Sequence, residues 1–597
     1  MIGRTRLLLS IILTIFIVFA GRLMYLQLVM AQEYELLSTQ NFVVEQRISP
    51  LRGRILAGDG TVLADNRVAY DLMYRGGDVT NWERITYLLE LDESPPRQPD
   101  PGSRTEMENG IAIEWNIPDR FVPSVSELLA GQANLYLRER IERTYPTNLA
   151  AQVVGYTALA DPVRFPGYAT DELVGVMGIE AGMERSLFGA AGARIAEVDN
   201  MRSVLRESEL VPAQPGMDIH LTLDPQMQRW AEDVLAGALP LVNAERRLGG
   251  LPTVDTVRGA LLAVDPRTGA ILAMASSPTF DQNIFTRRPS DPEAVSGVLN
   301  DSTNLPLQNR AVEAYPPASL FKLVTSSTLL DKGYMSANQR YECAGRINYG
   351  GRNWLNWTSS YRGVYTNVQA IADSCNTFYW LAAIDTPSFS VGWAPFIEDL
   401  NDRAHDFGFG TTVSVGLPEE KAGRIPDEVF KRATTGEPWY PGFTLNSSIG
   451  QGDILATPLQ ALQLVHILAN DGVYRELNLV SRIGNQTVPV AQKRVQGTHW
   501  GLLREGMERM ISDHGAARHL GRQAGFQVTI AGKTGTAQVG RQGQEHAWFM
   551  GYGPSRDAEI AMVVFIENGI SSANVAVPLA AQFLHLYFDD ENRADAN

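Results

Sequence analysis

The stretch Tyr315-Pro316-Pro317-Ala318-Ser319-Leu320-Phe321-Lys322 decides the fold. Two prolines stand just before a helical pattern that runs to a Lys332-Gly333 stop, so a helix is predicted with Ser319 in its first turn. Serine and lysine three residues apart then share one helix face. A serine hydroxyl needs a base at neutral pH, and a lysine amine can be that base when burial or a neighbouring cation lowers its pKa. The helix N-terminus adds partial positive charge where negative charge develops during attack. By itself S-x-x-K is a pattern that chance supplies, and its ordinary explanation is a helix-start serine beside a surface lysine.

The rest of the chain adds weight to it. Among 597 residues there are six lysines, Lys322, Lys332, Lys421, Lys431, Lys493 and Lys533, against 45 arginines. Where positive charge alone is wanted the sequence uses arginine, whose guanidinium cannot give up its proton. Lysine at 322 and 533 is what proton transfer demands. Two further clusters follow in order: Ser374-Cys375-Asn376 within Ile371 to Tyr379, and Lys533-Thr534-Gly535-Thr536 after an apolar run, Val528 to Ile530, that reads as a strand. The three clusters thus stand in the order S-x-x-K, S-x-N, K-T-G. There is no G-x-S-x-G elbow, no phosphate-binding G-x-x-x-x-G-K-[ST] loop and no H-E-x-x-H metal motif. The eight histidines are scattered, so each reads as structural, neither cysteine has a second Cys or a His at metal-ligand spacing, and serine acyl transfer requires no cofactor.

Working outward, Gly259 to Val264 and Ala270 to Met274 are apolar runs around the turn cluster Asp265-Pro266-Arg267-Thr268-Gly269, and read as antiparallel strands. Trp548 to Tyr552 and Ile560 to Ile566 repeat that pattern, with helical segments between. An α+β domain with helices around an antiparallel sheet is therefore expected. Upstream, Ile219 to Leu223 reads as a strand and Gln226 to Leu235 as a helix capped by Asp224, with a domain boundary near 225 to 255. Ile55 to Leu63 reads as a hairpin around Asp59-Gly60. Residues 91 to 110, with four prolines, read as an exposed loop.

Leu7 to Met30 is long enough, at about 1.5 Å per residue, to cross a hydrocarbon core of about 30 Å. Arg4 and Arg6 precede it and Glu33 and Glu35 follow, which puts residue 1 in the cytoplasm and the bulk of the chain outside. Val18 and Ala20 could instead mark a signal-peptide cleavage site, but apolar sequence resumes at Leu23. A formal net charge of −16 argues against nucleic-acid binding. The two cysteines, Cys343 and Cys375, would be exported; a disulfide and two buried thiols are both open on the sequence.

Together these motifs resemble the penicillin-binding and serine β-lactamase superfamily, and within it class B penicillin-binding proteins, single-span D,D-transpeptidases. The resemblance covers nearly the whole chain. It includes Pro50-Leu51-Arg52-Gly53 with Asp59-Gly60, Gly175 to Glu180, Gly216 to Asp224, Ala263 to Gly269 and Ile449-Gly450-Gln451-Gly452. Asn309-Arg310-Ala311, Tyr145-Pro146 ahead of Gly155-Tyr156, and Pro438-Trp439-Tyr440 resemble the elongation type more than the septal type, which stays the alternative. Ala318 replaces the glycine common before the nucleophile, a departure expected to be harmless. The resemblance implies a cytoplasmic tail (1–6), a membrane helix (7–30), a β-rich pedestal and head (31–225), a transpeptidase domain (226–590) and a polar tail (591–597).

It also implies roles. Ser319 attacks the penultimate D-alanine of a peptidoglycan stem peptide, Lys322 takes its proton, Ser374 relays the proton to the leaving D-alanine, and Asn376 holds the substrate amide. Lys533, Thr534, Gly535 and Thr536 line the carboxylate site. Expected partners are stem peptides and lipid-linked precursors, β-lactams as covalent inhibitors, and a membrane glycosyltransferase of the SEDS family, with Arg22 at that helix interface. D-Ala-D-Ala carboxypeptidase activity would be a side reaction. The other class of reading is a non-catalytic regulator or β-lactam sensor; a β-lactamase would need a water-activating base for which no motif is seen.

Overall fold

The computed structural model describes residues 2–30, 43–92, 94–103, 106–107, 110–132, 134–170, 172–198, 204–512, 517–521, 525–540 and 543–589. The chain divides into two compact units, Met1–Gly53 with Phe188–Gly216, and Arg54–Leu187 with Met217–Asn597.

The first unit begins with the helix Ile2–Met24, which passes into a π-helical turn, Tyr25–Val29. Leu9, Ile12, Leu13, Phe16 and Phe19 on it are exposed. Among the described residues no helix is long and apolar enough to cross a membrane; the side chains of Leu7, Leu8 and Ile11, part of the expected span, lie outside the described ones. The unit also holds a three-stranded antiparallel sheet in which Gly192–Val198 runs between Val43–Ile48 and Val204–Val211. The tail 591–597 is outside the described residues.

In the second unit, Ile55–Leu56 folds back on the start of the strand Val62–Tyr74, as the Asp59-Gly60 turn predicts. Gly60 takes φ 90°, and the Asp59 carboxylate accepts from Thr61 N at 2.8 Å, the side chain standing in for a backbone turn bond. Val62–Tyr74 then pairs along its length with Leu135–Thr144, and at its end with Ile111–Glu114. A small core of Leu72, Tyr74, Ile85, Val125 and Leu135 backs this sheet.

The sheet that matters for function has five antiparallel strands in the order Ile271–Ser277, Gly259–Val264, Ile560–Ile566, His546–Gly553, Ala531–Ala537. Successive side chains of a strand point to opposite faces, and both faces are covered, so Gly259–Val264 and Ile560–Ile566 carry no polar side chain. Ala260, Leu262, Val563 and Phe565 join one core, with the helices Lys322–Asp331 and Pro458–Ala469. Leu261, Ala263, Met562 and Val564 join the other, with Pro225–Ala236 and Val577–Phe588. Asp224 caps the first of these helices, accepting from Gln226 N and Met227 N at 2.8 and 2.9 Å.

The expected strand Val528 to Ile530 is a loop; the strand is Ala531–Ala537 itself. The glycines, threonines and lysine of that segment give no apolar pattern. The two glycines answer to close packing: a Cβ on Gly532 would stand 2.7 Å from the Phe549 ring, and one on Gly535 would stand 3.1 Å from Pro317 O.

Lys322–Asp331 is buried from Lys322 to Leu330 although four of those residues carry hydroxyls. Each hydroxyl is bonded, as burial requires. Thr325 donates to Ser448 O at 2.8 Å, Thr328 to Val324 O at 2.9 Å and Ser327 to Asp331 at 3.1 Å, while Ser326 pairs with Tyr379 OH at 3.0 Å. Ahead of this helix, the fully buried Arg310 donates to Glu567 at 3.2 Å and to the carbonyls of Leu305 and Asn304.

Candidate active site

Ser319 sits in a 3-10 turn, Ala318–Phe321, that leads directly into Lys322–Asp331. The turn is fixed by the loop that follows Pro441–Ser447: Ala318 N donates to Gly450 O at 2.9 Å. Gly450 has φ 71°, and a Cβ there would lie 2.1 Å from Ala318 O and 2.6 Å from Phe321 Cβ, so only glycine lets this loop close on the nucleophile turn. Ala318 itself has φ 51°. An L-residue in that region costs about 1 kcal/mol, which is the physical reason glycine suits the position and the measure of what alanine changes.

Lys322 is fully buried, and its Nζ donates to Ser374 O and to Asn376 Oδ1, both at 2.6 Å, with Ser374 Oγ at 3.2 Å. Among the described residues Ser319 Oγ has no hydrogen-bond partner, an arrangement common before substrate tightens a site. Ser374 and Asn376 come from the junction of two helices, Asn367–Ala372 and Asn376–Ile384, and Ser374 also has φ 51°. Lys533, on the edge strand, donates from Nζ to Ser374 Oγ and to Thr534 O, both at 2.9 Å. The S-x-x-K, S-x-N and K-T-G residues are thus brought together, with two amines on one hydroxyl.

Burial sets the electrostatics. It pushes Lys322 well below the ordinary lysine pKa, and the Lys533 charge pushes the same way. Burial brings Lys533 to about 7, with the Asp373 carboxylate acting in the opposite direction. A neutral Lys322 uses its two N–H groups on Ser374 O and Asn376 Oδ1 and keeps a lone pair free to accept a proton.

Thr534 is nearly buried, its N and Oγ1 facing Met510 Sδ at 3.2 and 3.5 Å. Thr536 is exposed, with Oγ1 2.8 Å from Ser572 Oγ, which donates on to Gly535 O at 2.5 Å. Ser572, Met510 and Asp373 were not singled out from the sequence. Asp373 could have been, as an acid directly before S-x-N; the other two carry no local signal. Cys343 and Cys375 form a disulfide with Cα atoms 6.0 Å apart. Among the described residues no cluster of His, Cys, Asp and Glu could hold a metal ion.

The chain matches the model of the penicillin binding protein transpeptidase domain over residues 259–585 and that of the penicillin-binding protein dimerisation domain over 47–221. It is 30% identical to peptidoglycan D,D-transpeptidase MrdA of Acinetobacter baumannii, over 97% of this chain and 87% of that protein. Against the protein of the same name from Escherichia coli K12 the identity is 28%, over 96% and 92%. Among solved structures, it is 39% identical to a chain of a peptidoglycan synthase complex that coordinates polymerization and crosslinking, with a TM-score of 0.80 over 98% of this chain and 99% of that one.

Proposed function

The chain belongs to the penicillin-binding protein transpeptidase family, and from that premise we infer that it is an elongation-type peptidoglycan D,D-transpeptidase working through an acyl-enzyme on Ser319. The observation that carries the mechanism is the convergence of Lys322 and Lys533 on Ser374 Oγ, beside the nucleophile turn. Lys322, neutral, takes the Ser319 proton as Oγ attacks the carbonyl of the penultimate D-alanine. Backbone N–H groups of Ser319 and Thr536 stabilise the oxyanion, typically worth several kcal/mol. Ser374, bonded to both amines, hands a proton to the departing D-alanine. Asn376 orients the substrate amide, and Lys533, Thr534 and Thr536 bind the terminal carboxylate, with Gly535 letting the strand approach. An amine from a second stem peptide then breaks the ester and forms the cross-link; a β-lactam stops at the ester.

The proposal includes a single membrane anchor over Leu7–Met30, N-terminus inside and residues 226–590 outside. It is supported by the unbroken helical path from Ile2 to Val29 and the exposed Leu9, Ile12, Phe16 and Phe19. It also includes a SEDS-family polymerase as partner, with residues 31–225 as the coupling region. The support is the 39% identity to a member of a complex in which polymerization and crosslinking are coordinated.

The test is a labelled penicillin together with a cross-linking assay on lipid-linked substrate, with and without such a polymerase. Wild type should be labelled and Ser319→Ala should not; cross-linked product should form. Labelling without cross-linking under any condition would make the protein a sensor instead. Arg22→Leu or removal of residues 31–225 should alter the partner's glycan synthesis, and unchanged synthesis rejects the coupling.

A further inference from the structure

Between the nucleophile helix and Asn367–Ala372 the chain makes an excursion of two small hairpin sheets, Tyr341–Cys343 with Gly363–Tyr365, and Arg346–Tyr349 with Arg352–Leu355. No residue of it belongs to a catalytic motif. Yet it grips the turn Asp373-Ser374-Cys375-Asn376 at every residue but the one that acts on protons. Cys343 is disulfide-bonded to Cys375, the residue between Ser374 and Asn376. Asn356, nearly buried, accepts from Asn376 N through Oδ1 at 3.1 Å. Its Nδ2 donates to Ala344 O at 3.0 Å and faces the sulfurs of Cys343 and Cys375 at 3.6 and 3.8 Å. Trp357 Nε1 donates to Asp373 O at 3.0 Å. Arg362 holds the Asp373 carboxylate through two bonds of 2.9 Å, and Tyr365 OH donates to it at 2.6 Å.

Ser374 itself takes φ 51°. A non-glycine residue stays in that conformation only where its surroundings over-determine it. Part of the surroundings is the end of Asn367–Ala372, where Ser374 N and Cys375 N donate to Ile371 O and Ala370 O at 3.3 and 3.1 Å; the excursion adds its hold on the residues on either side of Ser374. The same conformation is what presents Ser374 Oγ to both amines while Ser374 O and Asn376 Oδ1 take the N–H groups of Lys322.

We propose that the Cys343–Cys375 disulfide and Asn356 are positioning elements for acylation: they hold Ser374 left-handed and fix Asn376, so that the relay hydroxyl and the base stay in register. This rests on the transpeptidase mechanism above. Neither element touches the reacting atoms; both act through Ser374 and Asn376. A disulfide that only tied down a surface excursion would affect stability and leave the chemistry alone.

The experiment measures acylation of the full-length protein by a labelled penicillin over a concentration series, which separates the acylation rate constant from the dissociation constant of the non-covalent complex. C343A/C375A should lower the rate constant about 10- to 100-fold, with the dissociation constant little changed and melting still above the assay temperature. Asn356→Leu should behave likewise, and Asn356→Asp, which keeps the acceptor for Asn376 N, should recover most of the loss. A wild-type rate constant in folded C343A/C375A overturns the proposal. If that variant does not fold, folded wild type is reduced with dithiothreitol, its free thiols are counted, and acylation is measured before and after reoxidation. A rate that falls and returns supports positioning; an unchanged rate in the reduced protein overturns it. Absence of labelling in untreated wild type would instead reject the transpeptidase mechanism itself.

Discussion

Lys322 and Lys533 meet at a single atom: their Nζ groups lie 3.2 and 2.9 Å from Ser374 Oγ, and both are fully buried. Two ammonium groups in a buried space would repel strongly, so at neutral pH the pair is stable only with one amine neutral. Lys322, depressed by burial and by the Lys533 charge, is that one.

Lys322→Arg should therefore abolish function as thoroughly as Lys322→Ala. Arginine keeps the charge but cannot accept a proton, and loss of a positioned base costs about 100- to 10,000-fold. The acylation rate constant with labelled penicillin checks this, and retention of activity in the arginine variant would remove Lys322 from the base role.

The two amines should divide the pH dependence. In the proposed mechanism acylation needs Lys322 neutral, so its rate constant should fall on the acid side. Carboxylate binding in that mechanism needs Lys533 charged, so the dissociation constant for penicillin should rise above about pH 7. In Lys533→Arg the alkaline rise should vanish, because a guanidinium stays charged. Stability follows the same groups. Between about 7 and the unfolded lysine value the unfolded chain binds more protons than the native one, so the Lys533 contribution is complete at high pH and is lost as pH falls towards 7. Melting temperature against pH, for wild type and Lys533→Met, reads that slope.

Gly450→Ala should be damaging although it adds one methyl. The new Cβ would meet Ala318 O at 2.1 Å in a backbone conformation, φ 71°, that alanine resists. A loss of about 3 kcal/mol is expected, with slower acylation because the collision is with the turn that carries Ser319. Ala318→Gly should act oppositely, raising stability by up to about 1 kcal/mol by removing the left-handed penalty. Denaturant unfolding compares both with wild type.

Arg310→Met should destabilise by about 3 kcal/mol. The buried guanidinium serves Glu567 and two carbonyls, and a thioether leaves all three without it. Thermal unfolding of Arg310→Met and of Arg310→Met/Glu567→Gln separates the carboxylate, which keeps Arg258 at 3.3 Å, from the carbonyls, of which Leu305 O keeps Gln308 N at 3.0 Å: partial recovery is expected in the double variant.

What could be read from the sequence was local chemistry. Asp59-Gly60 gives a turn, Asp224-Pro225 starts a helix, Pro316-Pro317 puts Ser319 in a first turn, and Ile560–Ile566 is apolar enough to be a buried strand. What could not be read depended on neighbours far along the chain. Ala531–Ala537 is a strand because glycines at 532 and 535 fit against Phe549 and Pro317, which no local pattern announces. Ser572 reaches Gly535 across 37 residues. The Cys343–Cys375 pairing closes across 32, and the sequence left it open. Motif order identified which residues meet; the burial and the neighbouring Lys533 charge that depress Lys322 exist only once they have met.

The edge strand Ala531–Ala537 pairs on one side only, with His546–Gly553, and among the described residues no strand takes its other side. Unpaired edges are adhesive, and proteins usually disarm them with proline, a bulge or an outward charge. The strand Ala531–Ala537 holds no proline, and its register with His546–Gly553 is unbroken. The one charge it carries, Lys533, is turned inward to the relay. In their place the edge is covered from within the domain: Thr534 N faces Met510 Sδ, Thr534 O accepts from Lys533 and Gly535 O from Ser572, which leaves Thr536 as the one exposed residue of the strand.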